Sequence, residues 1–281
     1  MIGKAKVVIF GAGDGGLRVH YLLSDEFEVI AFADNDVSKQ GSKFLSKLVV
    51  SPNEICKLVF DYVIIANIHG ESVYKQLTEE LSIEKGKIID YFMSLKFDTR
   101  LALLRQIADE INECGVKGSV AELGVFKGEF SKYINRVFPD RQLYLFDTFS
   151  GFDQKDIDNE NKGDFSNSIA GEFCNSDVDL VLNKMMYKEN CIVKKGYFPE
   201  SASDVNETFA FVSLDVDLYQ PILEGLKFFY PKMSDGGYII VHDYNSTRFH
   251  GVKQAVREYC REHGVKYTPI SDLCGSVAIM K

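Results

Sequence analysis

The sequence has 281 residues, 46% of them hydrophobic and 26% charged, which is long enough for two globular domains. The net charge of −9 argues against a nucleic-acid-binding surface, which needs clustered lysine and arginine. Six widely spaced cysteines without a C-x-x-C pair indicate neither a zinc site nor a disulfide framework. No apolar run approaches the roughly 20 residues of a membrane span, and no signal-peptide pattern is present, so we expect a cytoplasmic protein.

Residues 1–97 alternate short apolar strands with helical segments, which predicts a small, parallel, doubly wound α/β domain of the Rossmann-like type. The predicted strands are 6–10, 28–33, 61–66 and 87–90, and the predicted helices are 17–23, a short one after Ser51, and 71–81.

A glycine cluster follows the first strand of this domain and opens its first helix. Gly11, Gly13 and Gly16 satisfy the G-x-G-x-x-G pattern, and Asp34 ends the next strand, where dinucleotide-binding folds keep their ribose acid. The pattern predicts a nucleotide ligand. Three functions stay open: nucleotide-sugar binding, a nicotinamide-dependent oxidoreductase, and a scaffold without catalysis.

Residues 98–281 begin with a linking helix over 99–114 and then repeat the alternation, which predicts a second doubly wound α/β domain. The predicted strands are 119–123, 142–146, 191–195, 210–214, 238–241, 266–269 and 275–280, and the helices are 127–138, 177–187, 219–230 and 251–263. The polar segment 151–177 shows no clear period, and we interpret it as a lid loop.

Three strand ends of the second domain carry the features that bind S-adenosylmethionine. Gly124 and Gly128 form a tight turn after the first strand, and Asp147 ends the second, where it can accept ribose hydroxyls. Gly196 and Tyr197 follow the third strand and would frame the adenine. Their order and spacing together predict an S-adenosylmethionine site.

The fourth and fifth strands end in acidic residues. Asp215 and Asp217 are two apart on an extended chain, so both side chains can face one cleft, and His242 and Asp243 follow the neighbouring strand. Two adjacent carboxylates can divide the work, one binding a cation and one accepting a proton. A divalent ion at Asp215 and Asp243, with or without His242, would lower the pKa of a bound hydroxyl.

Five segments of this domain resemble the macrocin-type (TylF-type) O-methyltransferases, and the resemblance spans nearly all of residues 99–281. The segments are 122–128, 145–152, 195–199, 214–219 and 236–244. The resemblance implies a class I, seven-stranded methyltransferase fold and magnesium-dependent methylation of sugar hydroxyls in antibiotic and glycan biosynthesis. The implied partners are S-adenosylmethionine, a divalent cation and a sugar, nucleotide-sugar or glycan-precursor acceptor. Whether the chain forms a homo-oligomer stays open.

The same resemblance implies roles for individual residues. It implies a metal at Asp215, His242 and Asp243, a general base at Asp217, ribose binding at Asp147, and the methionine end of the cofactor at Glu122, Gly124 and Gly128.

Two positions depart from the family pattern. His242 stands where the family has aspartate, and magnesium prefers oxygen ligands, so either the metal differs, or His242 lies beside it, or the site is metal-free with His242 as base. Phe130 stands where a small hydroxyl residue is usual, and we expect the adjacent Ser131 to serve the cofactor instead. Residues 34–41 and 51–55 resemble the small Rossmann-like modules of bacterial polysaccharide-biosynthesis proteins, which are associated with nucleotide-sugar ligands.

Overall fold

A computed structural model describes residues 4–23, 27–67, 69–272 and 275–281, with the backbone alone over residues 91–98. The chain divides into two compact units, Met1–Asp98 and Thr99–Lys281. Each is an α/β unit built around a largely parallel sheet, which confirms the predicted fold class. Within the described ranges, no helix combines the length and the apolar character that crossing a bilayer requires.

The described part of the first unit forms a six-stranded sheet in the order β3-β4-β2-β1-β5-β6. Its elements are β1 (Ala5–Phe10), α1 (Asp14–Leu23), β2 (Phe27–Ala33), β3 (Lys43–Phe44), β4 (Lys47–Val50), α2 (Pro52–Ile55), β5 (Tyr62–Ile65), α3 (Gly70–Lys75) and β6 (Ile88–Ile89). A π-helical turn over Gln76–Glu80 continues α3, which accounts for the longer helix predicted there.

The sequence did not predict the β3–β4 hairpin at the edge of this sheet. Its two central residues, Leu45 and Ser46, have φ of 48° and 66°. Tight hairpin turns with positive φ at both positions usually carry asparagine or glycine, so the sequence signal for the turn is absent.

The described part of the second unit forms a seven-stranded sheet in the order β12-β13-β11-β10-β7-β8-β9. Its elements are α4 (Tyr91–Glu113), β7 (Ser119–Leu123), α5 (Ser131–Val137), β8 (Leu143–Asp147), α6 (Gln154–Gly163), α7 (Val178–Leu182), β9 (Cys191–Lys195), β10 (Phe209–Leu214), α8 (Tyr219–Phe229), β11 (Met233–Val241), α9 (His250–His263), β12 (Thr268–Pro269) and β13 (Val277–Met280). Helix α4 begins in the first unit and ends in the second.

The strand order of the second unit fixes where a ligand can bind. Successive strands β7, β8 and β9 extend the sheet in one direction, and β10 then pairs with the other side of β7. In open parallel sheets, ligands bind beyond the carboxyl ends of the strands at such a reversal. The ends of β7 and β10 therefore mark the expected site. At the far side of the sheet, β13 pairs antiparallel with β11, and β12 pairs antiparallel with β13 as the edge strand.

The segment 151–177 corrects the expectation of a loop without regular structure, because it contains α6. The Asp153 carboxylate accepts a hydrogen bond from the Lys155 amide, which caps the helix start, and Asp164 ends the helix with φ 51° and ψ 42°. The helix buries Ile157 and Glu160 in an otherwise polar sequence, so no apolar period revealed it.

Candidate active site

The glycine turn after β7 is held by close backbone contacts. Gly124 has φ of +91°, and a Cβ atom there would lie 2.0 Å from the Asp215 carbonyl oxygen. Gly128 has φ of +73° and faces the Val181 side chain, 3.0 Å from where a Cβ would stand. Glycine at position 124 lets the ends of β7 and β10 approach each other, and glycine at position 128 lets the turn pack against Val181 of α7.

Asp147 joins the second strand end to this turn. Its Oδ2 accepts a hydrogen bond from the Phe126 amide at 2.8 Å, and its Oδ1 accepts one from the Phe149 amide at 2.7 Å. The amide of Gly196 donates to the Asp147 carbonyl oxygen at 3.0 Å, which brings the third strand end to the same place. Each carboxylate oxygen keeps a further acceptor position, so Asp147 fits the two hydroxyls of a ribose.

Tyr197 lies between this strand end and α6. Its hydroxyl donates to the Asp156 Oδ1 at 2.8 Å, and the Lys155 ammonium lies 4.8 Å from its ring centroid. Burial raises the pKa of Asp156 to about 6, although the hydrogen bond from Tyr197 acts in the opposite direction. The Tyr197 hydroxyl thus anchors α6, which leaves its ring as the group that could frame an adenine. The contact with Asp156 was not found from the sequence.

Glu122 and Ser131 lie beneath the turn, with 1% and 0% of their surface exposed. The Ser131 hydroxyl donates a hydrogen bond to the Glu122 carboxyl, and burial raises the pKa of Glu122 to about 8. The Ser131 hydroxyl is thus buried and bonded to Glu122, and its predicted role at the cofactor stays a prediction. The Glu122 side chain supports the turn from below, and its predicted contact with the cofactor stays a prediction.

The acidic strand ends meet as the sequence analysis expected. The His242 Nδ1 lies 3.0 Å from the Asp215 Oδ1 and 2.7 Å from the Asp243 Oδ2, and Asp243 also makes a side-chain hydrogen bond with Asp217. Asp217 and Asp243 have φ of 61° and 54°, in the left-handed region. Strained backbone of this kind clusters at functional sites.

The charges of this cluster set its protonation. Burial and the nearby Asp243 and Asp215 carboxylates raise the pKa of Asp217 well above its ordinary value. Burial would lower the pKa of His242, but Asp215 and Asp243 outweigh it and the pKa rises well above the usual range. Burial would raise the pKa of Asp215, yet His242 and Arg100 hold that pKa well below its ordinary value. Asp215 is therefore the firmly ionised member, and Asp217 the one that can take up a proton.

Arg100 of α4 completes the cluster and was missed from the sequence. One guanidinium nitrogen lies 2.9 Å from the Asp215 Oδ2, and the other terminal nitrogen donates to the Ser213 hydroxyl at 3.3 Å. The guanidinium carbon lies 3.7 Å from the centroid of the Phe130 ring. A signal existed, since Arg100 lies one helical repeat before Leu104, a buried residue of the α4 stripe.

The cluster does not fit a magnesium ion. Asp215, His242 and Asp243 each offer a ligand atom within 4.8 Å of the others. However, both Asp215 oxygens already contact nitrogen donors, one from His242 and one from Arg100. Magnesium prefers oxygen ligands throughout, and the permanently charged guanidinium would lie beside it.

The glycine turn of the first unit has two kinds of position. A Cβ on Gly16 would lie 1.9 Å from the Gly11 carbonyl oxygen, whereas a Cβ on Gly13 would have nothing within 4 Å. Gly16 is therefore required for packing, and Gly13 faces open space. The Asp34 Oδ2 accepts hydrogen bonds from the Ala12 amide at 2.8 Å and from Lys39 at 3.1 Å, so Asp34 holds the turn in place.

Comparison with known proteins matches most of the chain to one family. The sequence model of the macrocin-O-methyltransferase (TylF) family matches residues 75–278, and a model described as C2185-like, N-terminal, matches residues 3–89. A mycinamicin III 3''-O-methyltransferase of Micromonospora griseorubida is 24% identical over 217 residues, which cover 72% of this chain and 82% of that protein.

A second curated relative is a tetracenomycin-C rhamnosyl 4'-O-methyltransferase of Streptomyces olivaceus, which is 24% identical over 63% of this chain and 70% of its own length. Among solved structures, the O-methyltransferase NovP superposes with a TM-score of 0.53 at 23% identity, covering 65% of this chain and 79% of its own. The calicheamicin methyltransferase CalS11 superposes with a TM-score of 0.53 at 18% identity, covering 76% and 86%. Both share the fold of this chain.

Proposed function

The chain belongs to the macrocin-O-methyltransferase (TylF) family, and we propose that residues 99–281 transfer a methyl group from S-adenosylmethionine to a sugar hydroxyl. The protein is an S-adenosylmethionine-dependent O-methyltransferase. We propose in addition the identity of the acceptor, the residues that act on it and the ligand of the first unit.

One observation carries the placement of the cofactor. The Asp147 carboxylate accepts hydrogen bonds from the glycine turn and from its own turn, and its backbone carbonyl oxygen accepts one from Gly196, so three strand ends meet at one residue. Two acceptor positions on the Asp147 carboxylate match the ribose diol, and we place the methionine end of the cofactor against the Gly124–Gly128 turn. The bound cofactor supplies a methyl group on a positively charged sulfur.

We assign Asp217 as the general base. In the transfer, the acceptor oxygen forms a bond to the methyl carbon as the carbon–sulfur bond breaks, and the hydroxyl proton passes to the Asp217 carboxylate. A base works best when its pKa lies near the working pH, and burial with two neighbouring carboxylates raises the pKa of Asp217 in that direction. No step of this scheme passes through a metal ion, because the donor set does not fit magnesium.

The acceptor has a cavity available at the same end of the unit. The cavity lies between the end of α6 and the start of α9 and is lined by Asp164, Phe165, Ser166, Asn167, Thr247, Arg248 and His250. The Phe165 ring lies 4.9 Å from the ring of Tyr219, two residues after Asp217. Polar side chains and one aromatic ring suit a sugar, and the names of the two relatives give mycinamicin III and a rhamnosyl-tetracenomycin-C as their substrates.

For the first unit we propose a phosphate-bearing nucleotide or nucleotide-sugar ligand at the Gly11–Gly16 turn. The support is the open space at Gly13 and the position of the turn at the start of α1, where backbone amides favour an anion. Hydride transfer needs a further catalytic group beside the nicotinamide, and the sequence of this unit offers no evident candidate.

The test of the proposed function is a transfer assay with labelled S-adenosylmethionine and a panel of deoxysugar glycosides and nucleotide sugars. We expect one acceptor class to gain a single methyl group, and Asp217→Asn to reduce the rate by about 10²–10⁴-fold with unchanged S-adenosylhomocysteine binding. Asp235→Asn is the matched control, because Asp235 lies near the start of β11, far from the carboxyl ends of the strands. Full activity of Asp217→Asn would show that Asp217 is not the general base.

A further inference from the structure

We infer that Arg100 and His242 take the place of a divalent cation at this active site, so that methyl transfer by this chain needs no metal ion. The inference rests on the proposed function for its chemistry, and it rests on the geometry of the acidic cluster for its evidence. The cluster is the set Asp215, Asp217, His242 and Asp243, with Arg100 beside it.

Arg100 provides a fixed positive charge inside the cluster. Its residue is 9% exposed, and its guanidinium contacts the Asp215 carboxylate, the Ser213 hydroxyl and the face of the Phe130 ring. A guanidinium keeps its charge at any working pH and tolerates partial burial better than an ammonium. These contacts come from the carboxyl end of β10 and from the residue before α5, so two neighbouring segments hold the guanidinium of α4 in place.

His242 provides the second contact that a metal would otherwise make. A single nitrogen, Nδ1, lies within hydrogen-bond distance of both Asp215 and Asp243. A hydrogen on that nitrogen serves the two carboxylates together and holds them side by side. The two Asp215 oxygens then have different nitrogen partners, one on Arg100 and one on His242. The Asp243 Oδ2 also has His242 as its partner.

An ion added here would meet opposition from the residues present. It would have to displace Arg100 from Asp215 or stand next to it, and like charges repel strongly at a partly buried site. It would also have to displace the hydrogen on the His242 Nδ1. The two positions that depart from the resembled family pattern, Phe130 and His242, are the two that stack on the guanidinium and bridge the carboxylates.

The first test is a direct titration of the full chain with Mn²⁺, in which binding is measured by calorimetry or electron paramagnetic resonance. We expect no saturable site at millimolar ion, and a transfer rate that changes by less than about twofold after dialysis against EDTA. A stoichiometric Mn²⁺ site that disappears in Asp215→Asn would overturn the inference. S-adenosylhomocysteine binding is measured in the same EDTA-treated sample, so a failure of the proposed function is seen separately from a failure of this inference.

The second test builds the metal site that the wild-type chain lacks. The double variant Arg100→Met, His242→Asp removes both donors of positive charge and leaves three neighbouring carboxylates and a fourth at Asp217. We expect this variant to gain a saturable Mn²⁺ site, seen as a midpoint of thermal unfolding that rises with Mn²⁺. Adding Asp215→Asn to the pair is the matched control and should abolish the rise. A folded double variant that binds no Mn²⁺ would contradict the inference.

Discussion

Glu122 makes the stability of the second unit depend on pH. The carboxyl is 1% exposed, and burial raises its pKa to about 8 from an ordinary value of 4.5. Arg100 and the Ser131 hydroxyl oppose this rise without cancelling it. The folded chain therefore binds a proton that the unfolded chain has released over the interval between these two values.

The sign of the effect follows from that difference in bound protons. Between pH 4.5 and about 8 the folded state holds the proton more tightly, so the free energy of unfolding falls as the pH rises. Glu122→Gln removes the ionisation and keeps an oxygen for Ser131. We expect it to be more stable than wild type above pH 8, by on the order of 3–5 kcal/mol, and nearly equal to it at pH 4.5.

Urea unfolding at several pH values measures this difference. The exposed Glu110→Gln in α4 is the matched control and should show no such trend. A Glu122→Gln variant that unfolds in parallel with wild type across the whole range would show that the carboxyl is ionised in the folded protein.

Site residues that lie at strand ends could be predicted from the sequence. Residues whose side chains reach the site from another element were harder to predict. Asp147, Asp215 and Asp217 lie at or just after strand ends. The alternation of strands and helices is therefore enough to bring them to the carboxyl-end edge of the sheet.

Arg100 reaches that edge from a helix that precedes the sheet. Its spacing before Leu104 could have placed it on the buried stripe of α4, but only the packing of α4 shows that it contacts Asp215. Ser131 was assigned to the cofactor from its position in the chain, whereas the bond of its hydroxyl to Glu122 was not predicted.

At the scale of the elements, the close approach of the carboxyl ends of β7 and β10 depends on one glycine. Gly124 combines a φ of +91° with a space in which a Cβ would lie 2.0 Å from the Asp215 carbonyl oxygen. Any side chain at this position would therefore destabilise the fold in two ways. It would strain the backbone conformation, and it would clash with the backbone at the end of the neighbouring strand.

Gly124→Ala is expected to destabilise the chain by about 4 kcal/mol or more, because a backbone clash cannot be relieved by rotating a side chain. Gly264→Ala separates the two effects, since Gly264 ends α9 with φ of +66° and has nothing within 4 Å of a Cβ. That control should lose only about 1 kcal/mol. Thermal unfolding compares the two, and equal losses would contradict the close approach of the strands.

The elements that the sequence missed share a physical cause. The β3–β4 hairpin turns on Leu45 and Ser46, which lack the usual turn chemistry, and α6 is held by its Asp153 cap and the buried Glu160. The Glu160 carboxylate accepts hydrogen bonds from the Tyr219 amide and the Ser166 hydroxyl. Such contacts join distant parts of the chain and leave no local period, whereas the buried strands were predicted from local pattern alone.

At the scale of the whole molecule, each unit carries its own glycine turn, so the two binding activities are expected to be separable. Gly13→Asp adds a negative charge at a position where a Cβ meets nothing within 4 Å. It should leave the fold intact and abolish binding of a phosphate-bearing ligand to the first unit through charge repulsion.

Fluorescence and calorimetric titrations with NADH, UDP and dTDP test this, with S-adenosylhomocysteine as the internal control. We expect any nucleotide that binds wild type to lose its binding in Gly13→Asp, while S-adenosylhomocysteine binds both proteins alike. Gly13→Ala is the matched uncharged variant. Unchanged nucleotide binding by Gly13→Asp would place that ligand elsewhere, and loss of S-adenosylhomocysteine binding would show that the units are coupled.

The most direct test of the account is a calorimetric titration of the full chain with S-adenosylhomocysteine, in wild type and in Asp147→Ala. We expect one saturable site per chain, and a loss of affinity of at least about tenfold in the variant, whose circular dichroism should match wild type. Wild type that shows no binding at millimolar S-adenosylhomocysteine would contradict it, and so would an Asp147→Ala variant that binds as tightly as wild type.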